Sequence, residues 1–188
     1  MVRAGIAGLI QRGAVIPAVR SMEDFEAAML AGSPVVMVLF GDINELPRLV
    51  RRAQESKKQL IIHLDLFEGV GRDKSGIRFL ARTGMPGLIT TKPHLGKIAR
   101  DEGLVVIQRL FLMDSESLRT GINILKGFKP DAVEILPALV PGGIVHDIVR
   151  EIDIPVLGGG LIRTPADVAF ALGNGLYAVS TSRRDLWK

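Results

Sequence analysis

The feature that most constrains the fold is a repeat of short apolar runs, separated by amphipathic stretches, along the whole chain. The runs are apolar throughout instead of alternating with polar residues, which is typical of parallel strands covered by helices. The 188 residues divide among eight runs at about 23.5 residues each, close to the smallest length that holds a strand, a helix and two tight loops. The predicted strands are Val15–Val19, Val35–Phe40, Leu60–Leu64, Gly87–Thr91, Leu104–Phe111, Ala132–Leu136, Pro155–Gly158 and Tyr177–Thr181.

Helix start signals lie between the predicted strands. Ser21, Asp114 and Thr164 each precede a helical stretch, and their side chains are of the types that accept hydrogen bonds from the first N–H groups of a helix. Strands that alternate with helices in this way predict a TIM-type (β/α)8 barrel formed by a single α/β domain, residues 1–188. An open, doubly wound sheet is the alternative.

The two ends of the chain are irregular within this scheme. After the eighth predicted strand there is little more than Arg183–Lys188, which is too short for a complete eighth helix. Ahead of the first strand, residues 1–14 are predicted to form a helical extension. Within it, Val2–Arg12 either covers the gap left by the eighth helix or closes the bottom of the barrel.

Composition excludes several functional classes. The chain has no cysteine, which excludes disulfides, thiolate zinc sites and cysteine nucleophiles, and its three histidines are not at metal-ligand spacing. None of the apolar runs approaches the length of about 20 residues that a membrane-spanning helix needs, so we expect a cytoplasmic protein without membrane contact. The net charge of +4 favours anionic partners.

In a parallel barrel, functional groups lie at the C-terminal ends of the strands. Gly158–Gly160 end the seventh predicted strand and Ser180–Ser182 end the eighth, and such paired loops let backbone N–H groups approach a phosphate. The structural alternative is that the glycines only form a tight turn. Polar side chains at the same end of other strands either join this site or satisfy one another inside the barrel, and they are Arg20, His63, Asp65, Lys92, Gln108, Arg109, Glu134 and Arg163.

Patterns that indicate catalysis are weak. His63 and Asp65 would suit acid–base chemistry, Lys92 a Schiff base, and Glu134 with Asp65 a divalent metal. The chain has no Gly-x-Ser-x-Gly elbow, Walker loop or dinucleotide fingerprint. We therefore predict no catalytic residue and no metal site. A small phosphosugar enzyme of the isomerase, aldolase or phosphodiesterase type remains the alternative.

A basic surface is predicted in the middle of the chain. Residues 41–100 contain twelve Lys and Arg residues against six Asp and Glu residues. Their helical spacing indicates either solvated helix exteriors or a surface that contacts the phosphate backbone of nucleic acid. The only Trp and Tyr, Trp187 and Tyr177, lie elsewhere, which argues against stacking of bases on this surface. The residues of the predicted surface are Arg48, Arg51, Arg52, Lys58, Lys74, Arg78 and Arg82.

A series of short sequence blocks occurs in a fixed order from about residue 15 to the C-terminus. The blocks are Ile16-Pro17-Ala18-Val19-Arg20, His63-Leu64-Asp65-Leu66, Ile107-Gln108-Arg109-Leu110-Phe111 with Asp114-Ser115, Lys129-Pro130-Asp131 with Glu134-Ile135-Leu136-Pro137, Gly159-Gly160-Leu161-Ile162-Arg163-Thr164, and Val179-Ser180-Thr181-Ser182 with Leu186-Trp187-Lys188. Through these blocks the chain resembles the glycerol uptake operon antiterminator family, the glycerol-3-phosphate-responsive antiterminators.

The resemblance implies a TIM-type barrel that acts as a transcription regulator and not as an enzyme. Members of this family bind glycerol 3-phosphate and act on leader mRNA of glycerol-utilisation genes to prevent termination. Glycerol 3-phosphate would then be a regulatory ligand, with no further cofactor, and leader mRNA the macromolecular partner. A homo-oligomer is compatible with the sequence.

If the resemblance holds, the chemistry of the side chains suggests roles for four of them: Arg20, Asp65, Arg109 and Arg163 would contact the phosphate and hydroxyl groups of the ligand. The complete predicted ligand-binding set is Gly158, Gly159, Gly160, Ser180, Thr181, Ser182, Arg20, His63, Asp65, Lys92, Arg109, Glu134 and Arg163.

Overall fold

The computed structural model describes residues 6–187, which form a closed barrel of eight parallel strands. Each strand pairs with its neighbour in sequence, and β8 pairs with β1 in the register Ile16 to Ser180, which excludes the open sheet. The predicted barrel is confirmed, and every strand lies within two residues of its predicted limits. The strands are β1 Val15–Val19, β2 Val35–Val38, β3 Gln59–His63, β4 Gly87–Thr90, β5 Val105–Phe111, β6 Ala132–Leu136, β7 Val156–Gly159 and β8 Ala178–Thr181.

Seven α-helices in the described residues follow the first seven strands and cover the barrel. Three begin at the predicted capping residues: Ser21 Oγ accepts a hydrogen bond from Asp24 N at 3.1 Å, and Asp114 and Thr164 each form a reciprocal capping box. The helices are α1 Met22–Leu30, α2 Leu46–Glu55, α3 Lys74–Arg82, α4 Pro93–Asp101, α5 Ser115–Phe128, α6 Gly142–Ile152 and α7 Pro165–Gly173. None of them is long and apolar enough to cross a membrane.

A short segment stands in the place of an eighth helix. After β8 the chain forms one 3₁₀ turn, Arg184–Leu186, followed by Trp187, which is only 5% exposed and belongs to the same buried apolar cluster as Phe25 of α1. The indole Nε1 of Trp187 donates to the Thr181 carbonyl at 2.8 Å. Arg184 forms ion pairs with Glu23 and Asp24 of α1. The gap between α7 and α1 is thus filled by one buried aromatic side chain and held by surface ion pairs.

The segment before β1 lies at the opposite end of the barrel from the loops that follow the strands. A 3₁₀ turn, Ile6–Gly8, places Ile6 and Ile10 in the apolar cluster of the barrel interior, where they join Ile16 and Met37. This packing closes the bottom of the barrel. Residues 1–5 of the predicted helical extension lie outside the described residues.

The barrel interior changes character along its axis. Its lower layers are apolar, with Ile16, Met37 and Ile61 fully buried. At the C-terminal ends of the strands the buried residues become polar, and they include His63, Thr90, Arg109, Glu134, Ser180 and Thr181. Burying polar groups is unfavourable unless they find partners, so a buried polar layer is not expected from packing alone. Its position at the C-terminal ends of the strands is where functional sites lie in barrels of this kind.

Candidate functional site

A cavity of about 100 Å³ opens at the C-terminal end of the barrel. That volume is well below the 300 to 1,000 Å³ of pockets for drug-sized ligands, and suits a small anion or a three-carbon compound. Two arginines and no carboxylate line it. The lining residues are Ala18, Arg20, Leu39, Arg109, Leu136, Gly159, Gly160, Leu161, Ile162, Ser180, Thr181 and Ser182.

The floor of the cavity is built on a buried ion pair. Arg109 of β5 and Glu134 of β6 are register partners, and Arg109 Nε donates to Glu134 Oε2 at 2.7 Å. Ser180 Oγ of β8 donates to the other carboxylate oxygen at 2.6 Å. The Nη groups of Arg109 make no hydrogen bond to any residue among 6–187, so they remain available to an anion in the cavity.

The glycines after β7 have different structural roles. A Cβ on Gly159 would lie 2.8 Å from Glu134 Oε1 and 2.9 Å from Ser180 Oγ, so this position must be glycine for the carboxylate and hydroxyl to meet there. Gly160 has a φ of +73°, and Leu161 beside it has a φ of +62°, a left-handed conformation that non-glycine residues rarely adopt. Gly158 instead faces the helix layer, where its missing side chain makes room for Ala138 and Leu176.

Hydrogen bonds join the loops after β7 and β8. Thr181 Oγ1 donates to the carbonyl of Ile162 at 2.9 Å and accepts from Arg183 N at 3.1 Å. Further along the β7 loop, Asp167 Oδ2 accepts from the backbone N–H groups of Arg163 and Thr164. The bond from Arg163 N is the main cause that lowers the pKa of Asp167. These backbone donors therefore hold the start of α7, and the exposed Arg163 side chain lies outside the cavity lining.

His63 and Asp65 belong to the polar layer, and no hydrogen bond joins them. Burial, reinforced by the positive charge of Arg109, lowers the pKa of His63 to about 4, so the imidazole is neutral at neutral pH. Asp65 accepts hydrogen bonds from Thr90 Oγ1 at 2.9 Å and from Thr91 N and Oγ1 at 2.6 and 2.7 Å. Burial alone would raise the pKa of Asp65, but these bonds outweigh it and the pKa is lowered.

The structure also places the other candidate catalytic and metal-ligating residues, Lys92 and the two carboxylates. Lys92 precedes α4, where its backbone N–H donates to Thr90 Oγ1, and it does not line the cavity. Both oxygens of Glu134 and both of Asp65 accept hydrogen bonds from protein donors, and residues 6–187 contain no group of three or more acidic or histidine side chains placed to hold a metal ion.

The structure brings together seven of the predicted ligand-binding residues in the cavity lining, namely Arg20, Arg109, Gly159, Gly160, Ser180, Thr181 and Ser182. Glu134 lies directly below them. The remaining predicted residues are outside the lining, and they are Gly158, His63, Asp65, Lys92 and Arg163. The left-handed Leu161 carries no signal in the sequence. Thr91, which ends a predicted strand, donates to Asp65 through its backbone N–H and its hydroxyl, and no spacing in the sequence indicates this contact.

The predicted basic surface divides into paired and unpaired cations. Arg52 pairs with Glu26 at 2.9 Å, Arg78 pairs with Glu102 through two nitrogens, and Lys58 Nζ donates to the carbonyls of Ser33 and Ala31. The other four are exposed and have no ion-pair partner among residues 6–187; they are Arg48, Arg51, Lys74 and Arg82.

An aromatic side chain does lie among these cations, although the only Trp and Tyr lie elsewhere. Phe79, one residue after Arg78 on α3, is 43% exposed. Its exposure was not expected from the sequence, because a phenylalanine on a helix ordinarily lies in the core.

Comparisons with known proteins agree with the sequence motifs. Residues 15–187 match the family model described as glycerol-3-phosphate responsive antiterminator. The uncharacterized protein YgcP of Escherichia coli K12 is 32% identical over 180 residues, which cover 95% of this chain and 94% of that protein.

Two crystal structures are similar in fold and sequence. The glycerol uptake operon antiterminator regulatory protein from Listeria monocytogenes has 31% identity and a TM-score of 0.87, with 93% of this chain and 94% of that chain covered. The glycerol uptake operon antiterminator-related protein from Thermotoga maritima has 27% identity and a TM-score of 0.84, with coverages of 94% and 99%. The resemblance stated from the sequence is confirmed.

Proposed function

This chain belongs to the family of glycerol-3-phosphate responsive antiterminators, and we propose that it binds glycerol 3-phosphate at the C-terminal end of the barrel and acts in the cytoplasm on leader mRNA of glycerol-utilisation genes. Glycerol 3-phosphate is the regulatory ligand in this proposal, and no further cofactor is required.

The observation that carries the ligand proposal is the state of Arg109. Its guanidinium is fixed by Glu134 and presents its remaining N–H groups to a cavity that no carboxylate lines. A phosphate takes two parallel hydrogen bonds from such a fork, and Arg20 and the hydroxyls of Ser180 and Ser182 surround the same space. The cavity volume of about 100 Å³ leaves room for a three-carbon ester and little more.

The RNA part of the proposal is supported by the unpaired cations on α2 and α3. Arg48, Arg51, Lys74 and Arg82 are exposed and free to contact phosphates. Ligand and RNA then bind to different parts of one small barrel. By thermodynamic linkage, glycerol 3-phosphate must change RNA affinity by the same factor by which RNA changes the affinity for glycerol 3-phosphate.

Thermal unfolding with and without ligand tests the site. Glycerol 3-phosphate at a hundred times its Kd should stabilise the protein by about 2.7 kcal/mol, which is about 5 to 11 °C for a domain of this size, while glycerol should have little effect. Ser182→Asp places a negative charge at the exposed rim of the cavity and should abolish the shift. Asn123→Asp adds the same charge on the exposed surface of α5 and should leave it unchanged. A full shift in Ser182→Asp would place the ligand elsewhere.

A filter-binding titration tests the RNA function, with the leader transcript of glycerol-utilisation genes from the protein's own genome. We expect binding that weakens steeply with salt and that changes when glycerol 3-phosphate is added. The absence of RNA binding in both conditions would refute the regulatory function. Turnover of glycerol 3-phosphate that is lost in His63→Ala or Lys92→Ala would instead favour the enzyme alternative.

A further inference from the structure

A groove lies between α2 and α3 on the basic surface. Its upper part has a volume of about 440 Å³ and is lined by Leu46, Pro47, Val50, Arg51, Gln54, Phe79 and Thr83. A second cavity of about 290 Å³ shares Val50 and Gln54 with the first and continues past Lys57 and Lys58 to the end of α2. The two cavities thus lie side by side along α2, and we call them together the α2–α3 groove.

The groove has an apolar floor and a cationic rim. No Asp or Glu residue lines either cavity, whereas Arg51, Lys57 and Lys58 do. Lys58 is fixed by the carbonyls of Ala31 and Ser33, but Arg51 and Lys57 are exposed and have no ion-pair partner among residues 6–187. Arg82 follows Phe79 by three residues and so lies on the same face of α3.

The carboxylate of Glu102, directly after α4, faces the cations of α3. Glu102 is bound by both nitrogens of the Arg78 fork, which lowers the pKa of Glu102, and the charges of Lys74 and Arg82 act in the same direction. One carboxylate therefore faces three cations of α3, namely Lys74, Arg78 and Arg82.

Phe79 is the second notable feature of the groove. Its neighbours Ile77 and Leu80 are fully buried in the core, but 43% of Phe79 is exposed and it forms part of the groove wall. Exposed aromatic rings between cations are how proteins bind unpaired bases, because every base can stack on a ring while the cations contact the phosphates. An apolar peptide would use the ring but not the unpaired cations, and an RNA duplex would use the cations but not the ring.

We propose that the α2–α3 groove binds a single-stranded segment of RNA, with one unpaired base stacked on Phe79 and the adjacent phosphates paired with Arg51 and Arg82. The proposal rests on the proposed action on mRNA and specifies the form of RNA that is bound. It also reverses the expectation that base stacking plays no part on this surface.

The test is a fluorescence anisotropy titration with three probes: the leader transcript, a short oligoadenylate, and an RNA duplex of the same length as the oligoadenylate. Phe79→Ala and Phe79→Leu should each weaken binding of the two single-stranded probes by about 5-fold to 100-fold, the usual effect of losing one stacked base, while Phe79→Tyr should retain it. The matched control is Phe170→Ala on α7, where the phenylalanine is 52% exposed but lies outside the groove, and it should bind normally. Arg51→Gln should reduce the slope of log affinity against log salt by about one unit.

Several outcomes would overturn the proposal. If Phe79→Ala and Phe170→Ala bind the transcript equally well, the groove is not the site, although the RNA function itself stands. A duplex bound as tightly as the single strand, with no effect of Phe79→Leu, would also refute it. Sedimentation that shows a dimer of the wild type, dispersed by Phe79→Ala, would assign the groove to a second copy of the chain. Unchanged stabilisation by glycerol 3-phosphate in Phe79→Ala confirms that the variant is folded and separates this test from that of the ligand site.

Discussion

Glu134→Gln is the change that most directly tests how the floor of the cavity is held. Glu134 is fully buried, and its partner Arg109 is 7% exposed. The substitution keeps the shape of the side chain but removes its charge, so the guanidinium is left buried without a counter-ion. In addition, the amide has one oxygen for two donors, and its NH2 group must face either Arg109 Nε or Ser180 Oγ.

Breaking a buried ion pair from one side costs about 3 to 5 kcal/mol, which corresponds to a fall of about 6 to 20 °C in melting temperature for a domain of this size. Urea unfolding followed by the fluorescence of Trp187, the only tryptophan, measures the loss. The control is Glu116→Gln, which removes the same charge from an ion pair with Arg119 that is 72% and 66% exposed, and it should cost less than about 1 kcal/mol. If Glu134→Gln is no more destabilising than Glu116→Gln, the buried pair does not hold the floor as argued.

Three further predictions follow from the burial and close contacts described above. The pKa of His63 is about 4 in the folded protein and about 6.5 in the unfolded chain, so protonation of His63 favours unfolding and should lower the free energy of unfolding by about 2 kcal/mol between pH 7.5 and pH 5. Chemical unfolding at both pH values should show this loss in the wild type, and an equal loss in His63→Gln would exclude His63 as its source. Gly159→Ala forces a Cβ against Glu134 and should cost about 1 to 3 kcal/mol, whereas Gly173→Ala, where a Cβ meets nothing within 4 Å, should be neutral or stabilising; parallel thermal melts that rank the two variants the other way would contradict the contacts. Trp187→Ala should cost about 3 to 5 kcal/mol in urea unfolding followed by circular dichroism, and a change below 1 kcal/mol would show that the segment after β8 is dispensable.

The fold was accessible from the sequence because every strand is a short apolar run of its own. Parallel strands buried on both faces leave this signal locally, and it needs no knowledge of long-range contacts. Closure of the barrel is different, since no local pattern reports that β1 and β8 pair. The role of Trp187 also depends on the distant helix α1, so the sequence indicated a missing helix but not what fills its place.

The site was predicted to the extent that it depends on position along a strand. Arg109 and Ser180 were identified because they lie near the C-terminal ends of their strands, and the barrel brings such residues together. The hydrogen-bond partners of such polar groups come from other strands. Asp65 accepts hydrogen bonds from Thr90 and Thr91, and no spacing in the sequence indicates that pairing. For the same reason the basic surface could not be divided into paired and unpaired cations, because the partner of Arg78 is Glu102, which lies 24 residues away, directly after α4.

The position of the Arg109–Glu134 pair is itself an argument about function. Apolar side chains such as Ile16, Met37 and Ile61 fill the lower layers of the barrel, so its interior does not need charge in order to pack. Replacing a buried ion pair by apolar residues of similar size is often neutral or stabilising. We infer that the pair serves to aim the Arg109 guanidinium into the cavity. The double variant Arg109→Met, Glu134→Met separates the two roles: it should be more stable than Glu134→Gln yet show no stabilisation by glycerol 3-phosphate. If glycerol 3-phosphate still stabilises the double variant, the ion pair is not needed for ligand binding and serves only to pack the barrel interior.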